Sequence, residues 1–342
     1  MNMDAYPLAD QGLLQVAPGM LCTEVSVGAN VTHIALGRKR LIAGLGDGRL
    51  IQYSEDGLQL LAQHQGAITG VRLLKGGDIV CAGQDGHLRL ITDNESRVLL
   101  KSDETWIDAM AVSVDGILVA AAIGKTVSVF SNGELIASFS DHPSTVSGLS
   151  FFTDGKKIAV SHYNGVSVWS LTDMTKPRRL HWAGSVVSVS VSPDQRYIAS
   201  ATQDREIHLW DLVTERDFRL GGYQRKVKSI GWSTDSATCI SSGADVVVGW
   251  KMAADPGALP PVEIGYAYAY TVSLVSAIAD PSRIVAGFSD GSIQIGECSG
   301  GTARIARPGG GAEITALDAP AGSSVIAFGT ACGLLGSVDV PG

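Results

Sequence analysis

Several features that would point directly to a function class are scarce or missing from this sequence. Basic residues are in the minority: 26 Lys and Arg stand against 34 Asp and Glu, the net charge is −8, and the basic positions are dispersed. A protein that neutralises a nucleic-acid backbone normally carries a basic stripe, so nucleic acid is not expected as a partner. Two short basic clusters, KPRR at 176–179 and RKVK at 225–228, read as solvated loop or strand ends rather than phosphate cradles. No apolar run approaches the roughly 20 residues that a spanning helix requires, so the chain is read as soluble, without membrane contact. The opening MNMDAYPLADQGLLQ lacks a basic start and a continuous apolar stretch, and does not read as a signal peptide. Cysteines are few and odd in number (Cys22, Cys81, Cys239, Cys298, Cys332), and most sit in apolar, strand-like runs. That usage fits buried free thiols in a reducing cytoplasm better than a disulfide framework.

Patterns that carry chemistry are also wanting. The seven histidines (His33, His64, His87, His142, His162, His181, His208) form no tight ligand spacing with cysteine or with one another, so neither a metal nor a cofactor is expected. The glycines of GLGDGR at 44–49 fall in a turn between strands, with no following helix to present a phosphate site. No nucleophile elbow is found. Nothing supports a named reaction, and the expectation is a protein that is not an enzyme.

What the sequence does contain is a repeated unit. Residues 184–211 read GSVVSVSVSPDQRYIASATQDREIHLWD: an alternating apolar strand, a polar turn, a second strand, a second turn and a third strand. The same plan recurs at 67–91 (AITGVRLLKGGDIVCAGQDGHLRLI), at 144–170 and at 225–251. Weaker copies begin near residues 31, 107, 270 and 313. Starts spaced by about 36–45 residues suit a four-stranded blade, and period-two alternation rich in Val, Ile, Ser and Gly suits strands. Fourth strands are supplied by LQLLA, RVLLK, ELIASF, PRRLHW, DFRL, PVEI and ARIA, seven segments for eight copies. The missing one is available at the other end of the chain, as LCTEVSV at 21–27. Pairing it with the last three strands would close a ring and remove an exposed sheet edge. The expected fold is therefore all-β: a single β-propeller of four-stranded antiparallel blades over 21–342, after a tail at 1–20. Eight blades are expected, with starts near 31, 67, 107, 144, 184, 225, 270 and 313; seven is the alternative if the last copy is irregular.

SPDQ…ASATQDREIHLWD at 192–211 resembles the WD-repeat β-propeller family, and the copies holding His64, Gly76, Gly77 and Asp85, or His142, Asp154, Gly155, Asn164 and Trp169, resemble it less closely. The likeness extends over nearly the whole chain after about residue 20, but only one copy has a literal Trp-Asp. It implies structural roles: Asp204 accepting hydrogen bonds from turn amides, Trp210 packing between blades, and His64 with Asp85 forming a buried pair, with His142 in the corresponding place. Where a histidine would stand twelve residues before Asp194, the sequence has Trp182, with His181 one place off, so the network is not expected to be intact there.

The resemblance further implies a protein-interaction scaffold or adaptor that holds a protein or peptide partner on one loop face. That face is built from the loops entering each inner strand and from the second-to-third strand turns. These positions hold Trp106, Trp182, Tyr223 and the YAYAY run with Tyr266, Tyr268 and Tyr270 in the first class, and Gln84, Tyr163, Gln203 and Ser289 in the second. Asp103, Glu104 and Arg225 stand at the rim. Aromatic side chains anchor interfaces well because they bury large area at small rotamer cost; the plainer reading is that each covers its own loop. The alternative function is a ligand-binding or catalytic propeller with its site in the central channel.

Overall fold

The alternation of apolar and polar residues, punctuated by turn residues, yields strands throughout. The computed structural model describes residues 22–93, 95–253, 255–265, 270–320 and 323–340, and in them thirty β-strands and no α-helix. Hydrogen bonds gather the strands into seven sheets, six of four strands and one of six. Each is antiparallel, and consecutive strands are neighbours except where the chain ends meet.

The six-stranded sheet contains two repeat units. Two of its strands, Lys157–Ser170 and Arg178–Val191, are 14 residues long, against 3 to 7 for the others. The first doubles back on itself: Leu171 N donates to Lys156 O at 2.8 Å, and His162 Nε2 lies 2.7 Å from Ser167 Oγ. Its reversal uses Asn164 (φ 68°) and Gly165 (φ 132°). A Cβ on Gly165 would lie 2.0 Å from Leu180 O, so only glycine fits this turn. The second long strand pairs with the first through 178–181 and with Tyr197–Thr202 through 186–191. It is thus the outer strand of one unit running directly into the inner strand of the next. Counted as separate sheets the ring has seven members, the alternative left open by the sequence; counted as repeat units it has eight.

The buried core follows the units. Eight apolar clusters among the described residues each bridge two consecutive units, and the eighth joins the last unit to the first. In that closing cluster Ala316, Ala327 and Leu335 pack against Val31, Ile34 and Leu41. Trp210 packs with Phe152, Val166 and Leu180 across the junction inside the long sheet. Hydroxyls on the inner strands add a second link. Thr32 donates to Ile68 O (2.8 Å), Ser147 to Val186 O (2.7 Å) and Thr315 to Val31 O (2.6 Å), each reaching the next inner strand.

Closure itself pairs Cys22–Ser26 with Leu334–Asp339 in antiparallel register, from Cys22 opposite Val338 to Ser26 opposite Leu334. Val27 N donates to Gly333 O at 2.8 Å, and Glu24 pairs with Arg307 at 2.8 Å. Gly329 allows Val31 to approach: a Cβ there would lie 2.2 Å from Val31 Cγ1.

Two outcomes are expected. Removing residues 1–28 exposes the edge of Leu334–Asp339, and the truncated chain should melt earlier and over a broader range by circular dichroism; an unchanged transition would refute the closure. Gly329→Val should lower unfolding free energy by about 1–3 kcal/mol in a denaturant titration, through overpacking against Val31.

Candidate docking face

Each inner strand begins at a buried Val or Ile, and in four units the residue four positions earlier caps the end of the unit. His64, His142, Trp182 and Tyr223 hold this place before Ile68, Val146, Val186 and Val227. His142 Nδ1 donates to Lys125 O (2.7 Å), which leaves Nε2 to accept from Trp169 Nε1 at 2.9 Å. Tyr223 does the same work with different atoms: its hydroxyl accepts from Trp250 Nε1 (2.7 Å) and lies 2.6 Å from Ser241 Oγ. Both Trp partners stand 27 residues downstream. Tyr223 is only 8% exposed and burial pushes its phenol pKa up, which corrects its expected place on the docking surface. Trp182 is also turned inward. It is half-buried, stacks on His208 with centroids 4.0 Å apart, and is covered by the Arg219 guanidinium at 4.3 Å.

In the second unit the cap is a hydrogen-bonded relay. His64 Nδ1 lies 2.8 Å from Asp85 Oδ1, and His64 Nε2 lies 3.2 Å from Cys81 Sγ. Asp85 also accepts from Gln65 N and His87 N, both at 3.1 Å. Burial alone would raise the Asp85 pKa, but these donors hold it at about 2. The order Cys–His–Asp is that of a nucleophilic triad. Cys81 and His64 are nonetheless 0% and 1% exposed, and burial pushes the thiol up to about 12. With an enclosed, neutral thiol and imidazole beside the Asp85 carboxylate, the group is a structural tie between strand and turn. Asp204 differs from the expectation drawn from Asp85: it is exposed, and its carboxylate accepts no hydrogen bond among the described residues, while its own N donates to Thr202 Oγ1 at 3.3 Å. With tryptophan in the capping place, no imidazole is there to hold it. A buried hydrogen-bonding Asp of that unit is Asp211 of the Trp-Asp pair. It accepts from Arg196 Nη2 (2.7 Å) and from Val213 N (2.9 Å), which keep its pKa well below the usual range against the cost of burial.

The third unit has no such cap. Asp103 occupies the position, stays exposed, and pairs with Lys101 at 2.8 Å, a contact that lowers its pKa. The space that an aromatic or histidine cap would fill remains open as a cleft of about 910 Å³ between the second and third units. Trp106 stands on its rim, 56% exposed, with Nε1 donating to Asp108 Oδ1 at 3.0 Å. Asp108 Oδ2 accepts in turn from Gly124 N at 2.6 Å. The loop is fixed from within: Ser102 Oγ accepts from Thr105 N (3.2 Å) and lies 3.1 Å from Thr105 Oγ1. Gln84 lines the same cleft and is held by Ala67 N at 3.0 Å. Charges of both signs surround it, with Asp85, Asp103, Glu104 and Asp108 against Arg89 and Lys101.

Of the other expected contacts, Tyr163 and Tyr270 are 54% and 49% exposed, and Gln203 and Arg225 are exposed. Gln203 Oε1 accepts from Lys226 Nζ at 2.6 Å. Ser289 is half-buried and its hydroxyl accepts from Thr271 N at 3.0 Å. Tyr266 and Tyr268 lie outside the described residues. Sequence reasoning missed Asp108, the residue that orients Trp106. The available signal was its place directly after Ile107, where other units carry Thr32, Thr69 or Ser147. Among the described residues no group of three or more His, Cys, Asp and Glu is placed to hold a metal ion.

Comparison with known proteins agrees with the geometry. The family model for the WD domain, G-beta repeat, matches residues 133–170 and 176–211, the segment built into the long sheet. The chain is 26% identical over 212 residues to WD repeat-containing protein 37 of Xenopus laevis, covering 57% of this chain and 43% of that protein. It is 24% identical over 209 residues to Actin-interacting protein 1 of Caenorhabditis elegans, covering 55% and 33%. The chain thus spans less than half the length of these curated relatives. The crystal structure of a computationally designed protein, Ika8, superposes with a TM-score of 0.71 at 20% identity, over 92% of this chain and 98% of that one. That likeness concerns the fold alone.

Burial also fixes how the caps respond to acid. It lowers the pKa of His64, His142 and His162, and together with Arg72 it takes His33 down to about 4. Unfolded histidine titrates near 6.5, so from there down to about 4 the unfolded chain binds more protons, and stability falls as pH falls. Denaturant midpoints should decline steadily from pH 7 to 4.5, and His33→Gln should flatten that slope by about one proton. Tyr223→Phe should cost about 1–3 kcal/mol at pH 7, because Trp250 Nε1 is left buried without its acceptor.

Proposed function

Since this chain belongs to the WD-repeat β-propeller family, with repeats that have drifted from the consensus, we propose that it is a non-catalytic scaffold that grips a protein or peptide partner at the loop face around Trp106. WD-repeat relatives generally serve as interaction scaffolds; which face this chain uses, and for which partner, is the proposal. The observation that carries it is the exposed Trp106 beside an open cleft, its indole N–H already satisfied by Asp108. A large apolar ring held in one orientation loses little entropy on binding, and interface energy concentrates on such residues. Gln84, Tyr163 and the rim charges Asp103 and Glu104 extend the surface, while Tyr270, Gln203 and Arg225 lie further round the same ring of loops.

The Caenorhabditis relative is named for an interaction with actin, and the proposal takes from it only the mode, protein held by propeller. A cytoplasmic setting accords with the free thiols Cys81, Cys239 and Cys298, which are buried, and Cys332, which is exposed.

The test is capture of partners from host extract by the intact protein beside Trp106→Ala and a double variant, Trp106→Ala with Glu104→Lys. An anchor of this kind contributes about 2 kcal/mol or more, so a partner retained by the wild type should be held some thirtyfold less well by Trp106→Ala, with no change in melting temperature. A partner held equally by all three proteins refutes the face. If no protein is captured, the scaffold reading fails.

A further inference from the structure

The opposite end of the inner strands carries a different opening. A cavity of about 430 Å³ is lined by Arg72 of the second unit, Met110 and Val112 of the third, Leu149 and Phe151 of the fourth, and Val191 of the fifth. Surfaces from consecutive inner strands meet only around the ring axis, so this is the mouth of the central channel. These strands lead away from the Trp106 loops, which places the mouth on the other face. Its wall is apolar with a few neutral hydroxyls, and Arg72 is its single charged residue.

Arg72 is solvent-exposed and has few protein partners. A guanidinium has five N–H donors, and the bond found for this one is from Nη1 to the adjacent Val71 O at 2.7 Å. No carboxylate among the described residues forms an ion pair with it. Asp318 attracts it electrostatically, while Asp318 Oδ2 also accepts from Leu36 N at 2.7 Å. His33, the other titratable group nearby, has an unpartnered Nδ1 and is neutral at pH 7. The Arg72 side chain is solvent-accessible, so a ligand can reach it. Planar, paired donors match a carboxylate.

We propose that this channel mouth is a binding site for a small amphiphilic monocarboxylate, whose carboxylate pairs with Arg72 and whose hydrocarbon body fills the cup of Met110, Val112, Leu149, Phe151 and Val191. At about 30 Å³ for each non-hydrogen atom, the cavity suits a ligand of roughly a dozen such atoms, and its volume lies in the range of small-molecule sites. Decanoate is a probe of that size. The site is independent of the Trp106 face.

Isothermal titration of the whole protein with decanoate tests this, with decan-1-ol and decyltrimethylammonium as controls, all kept below their aggregation limits. Decanoate should bind one to one, at least tenfold more tightly than the alcohol, while the cation should not bind. Arg72→Gln should weaken decanoate at least tenfold and leave the alcohol unchanged. Val112→Trp, which fills the cup while keeping the charge, should abolish both, and Trp106→Ala should alter neither. Should Arg72→Gln fail to fold, Val112→Trp and the controls still decide. The proposal is overturned if decanoate does not bind, if the alcohol or the cation binds as well, or if either channel variant binds decanoate like the wild type.

Discussion

Every unit of this ring depends on its two neighbours for burial. A four-stranded sheet has two faces, and in this chain both are apolar, so a unit left at an end would expose one of them. The eight clusters show the solution: each belongs to a junction between units. The junction between the last unit and the first must be made by residues some 300 apart in the chain. Val31 fits against Gly329, Thr315 reaches Val31 O, and Cys22–Ser26 completes the final sheet. Long-range pairing of this kind is entropically expensive. It is recovered because closure buries both faces of the terminal units and removes the sheet edges at once.

A closed ring fixes the ends of the inner strands, and the capping residues then fix the loops. Three chemically different solutions fill the same place. His142 and Tyr223 each accept a tryptophan N–H, His64 joins Asp85 to Cys81, and Trp182 stacks on His208. Where the place is filled, the fold leaves the choice of capping chemistry open. This tolerance explains how repeats drift so far from one another while the backbone plan survives.

Where the place is not filled, the surface opens. Asp103 is too short and too well solvated to cap the third unit, so Trp106 turns outward and a cleft forms beside it. The two ends of the inner strands thereby differ in chemistry. One carries exposed aromatics among charges of both signs, suited to a partner with a broad surface. The other is a narrow apolar mouth around one cation. The two proposed sites therefore lie at opposite ends of the inner strands and need not compete.

Much of this was legible in the sequence because strand propensity and turn chemistry are local properties. The unit at 184–211, its relatives at 67–91 and 144–170, and the surplus strand at 21–27 follow from alternation, turns and counting alone. Exposed Trp106, Gln84 and Tyr163 also follow, since a loop position can be assigned from the register of the strands around it. Other matters were decided in three dimensions. Whether Trp182 or Tyr223 faces solvent depends on whether Trp210, Trp250 or His208 needs covering, and those residues arrive 26 to 28 positions later. The fusion of two units into one sheet rests on Arg178–Val191 running unbroken from the outer strand of one unit into the inner strand of the next. Asp204 and Asp85 look alike in sequence, yet only the one with an imidazole behind it becomes a buried acceptor. The sequence determined that the chain forms a ring of strands; only tertiary packing determined which side chains the ring consumes and which it leaves free, because burial is a property of neighbours that the local sequence does not contain.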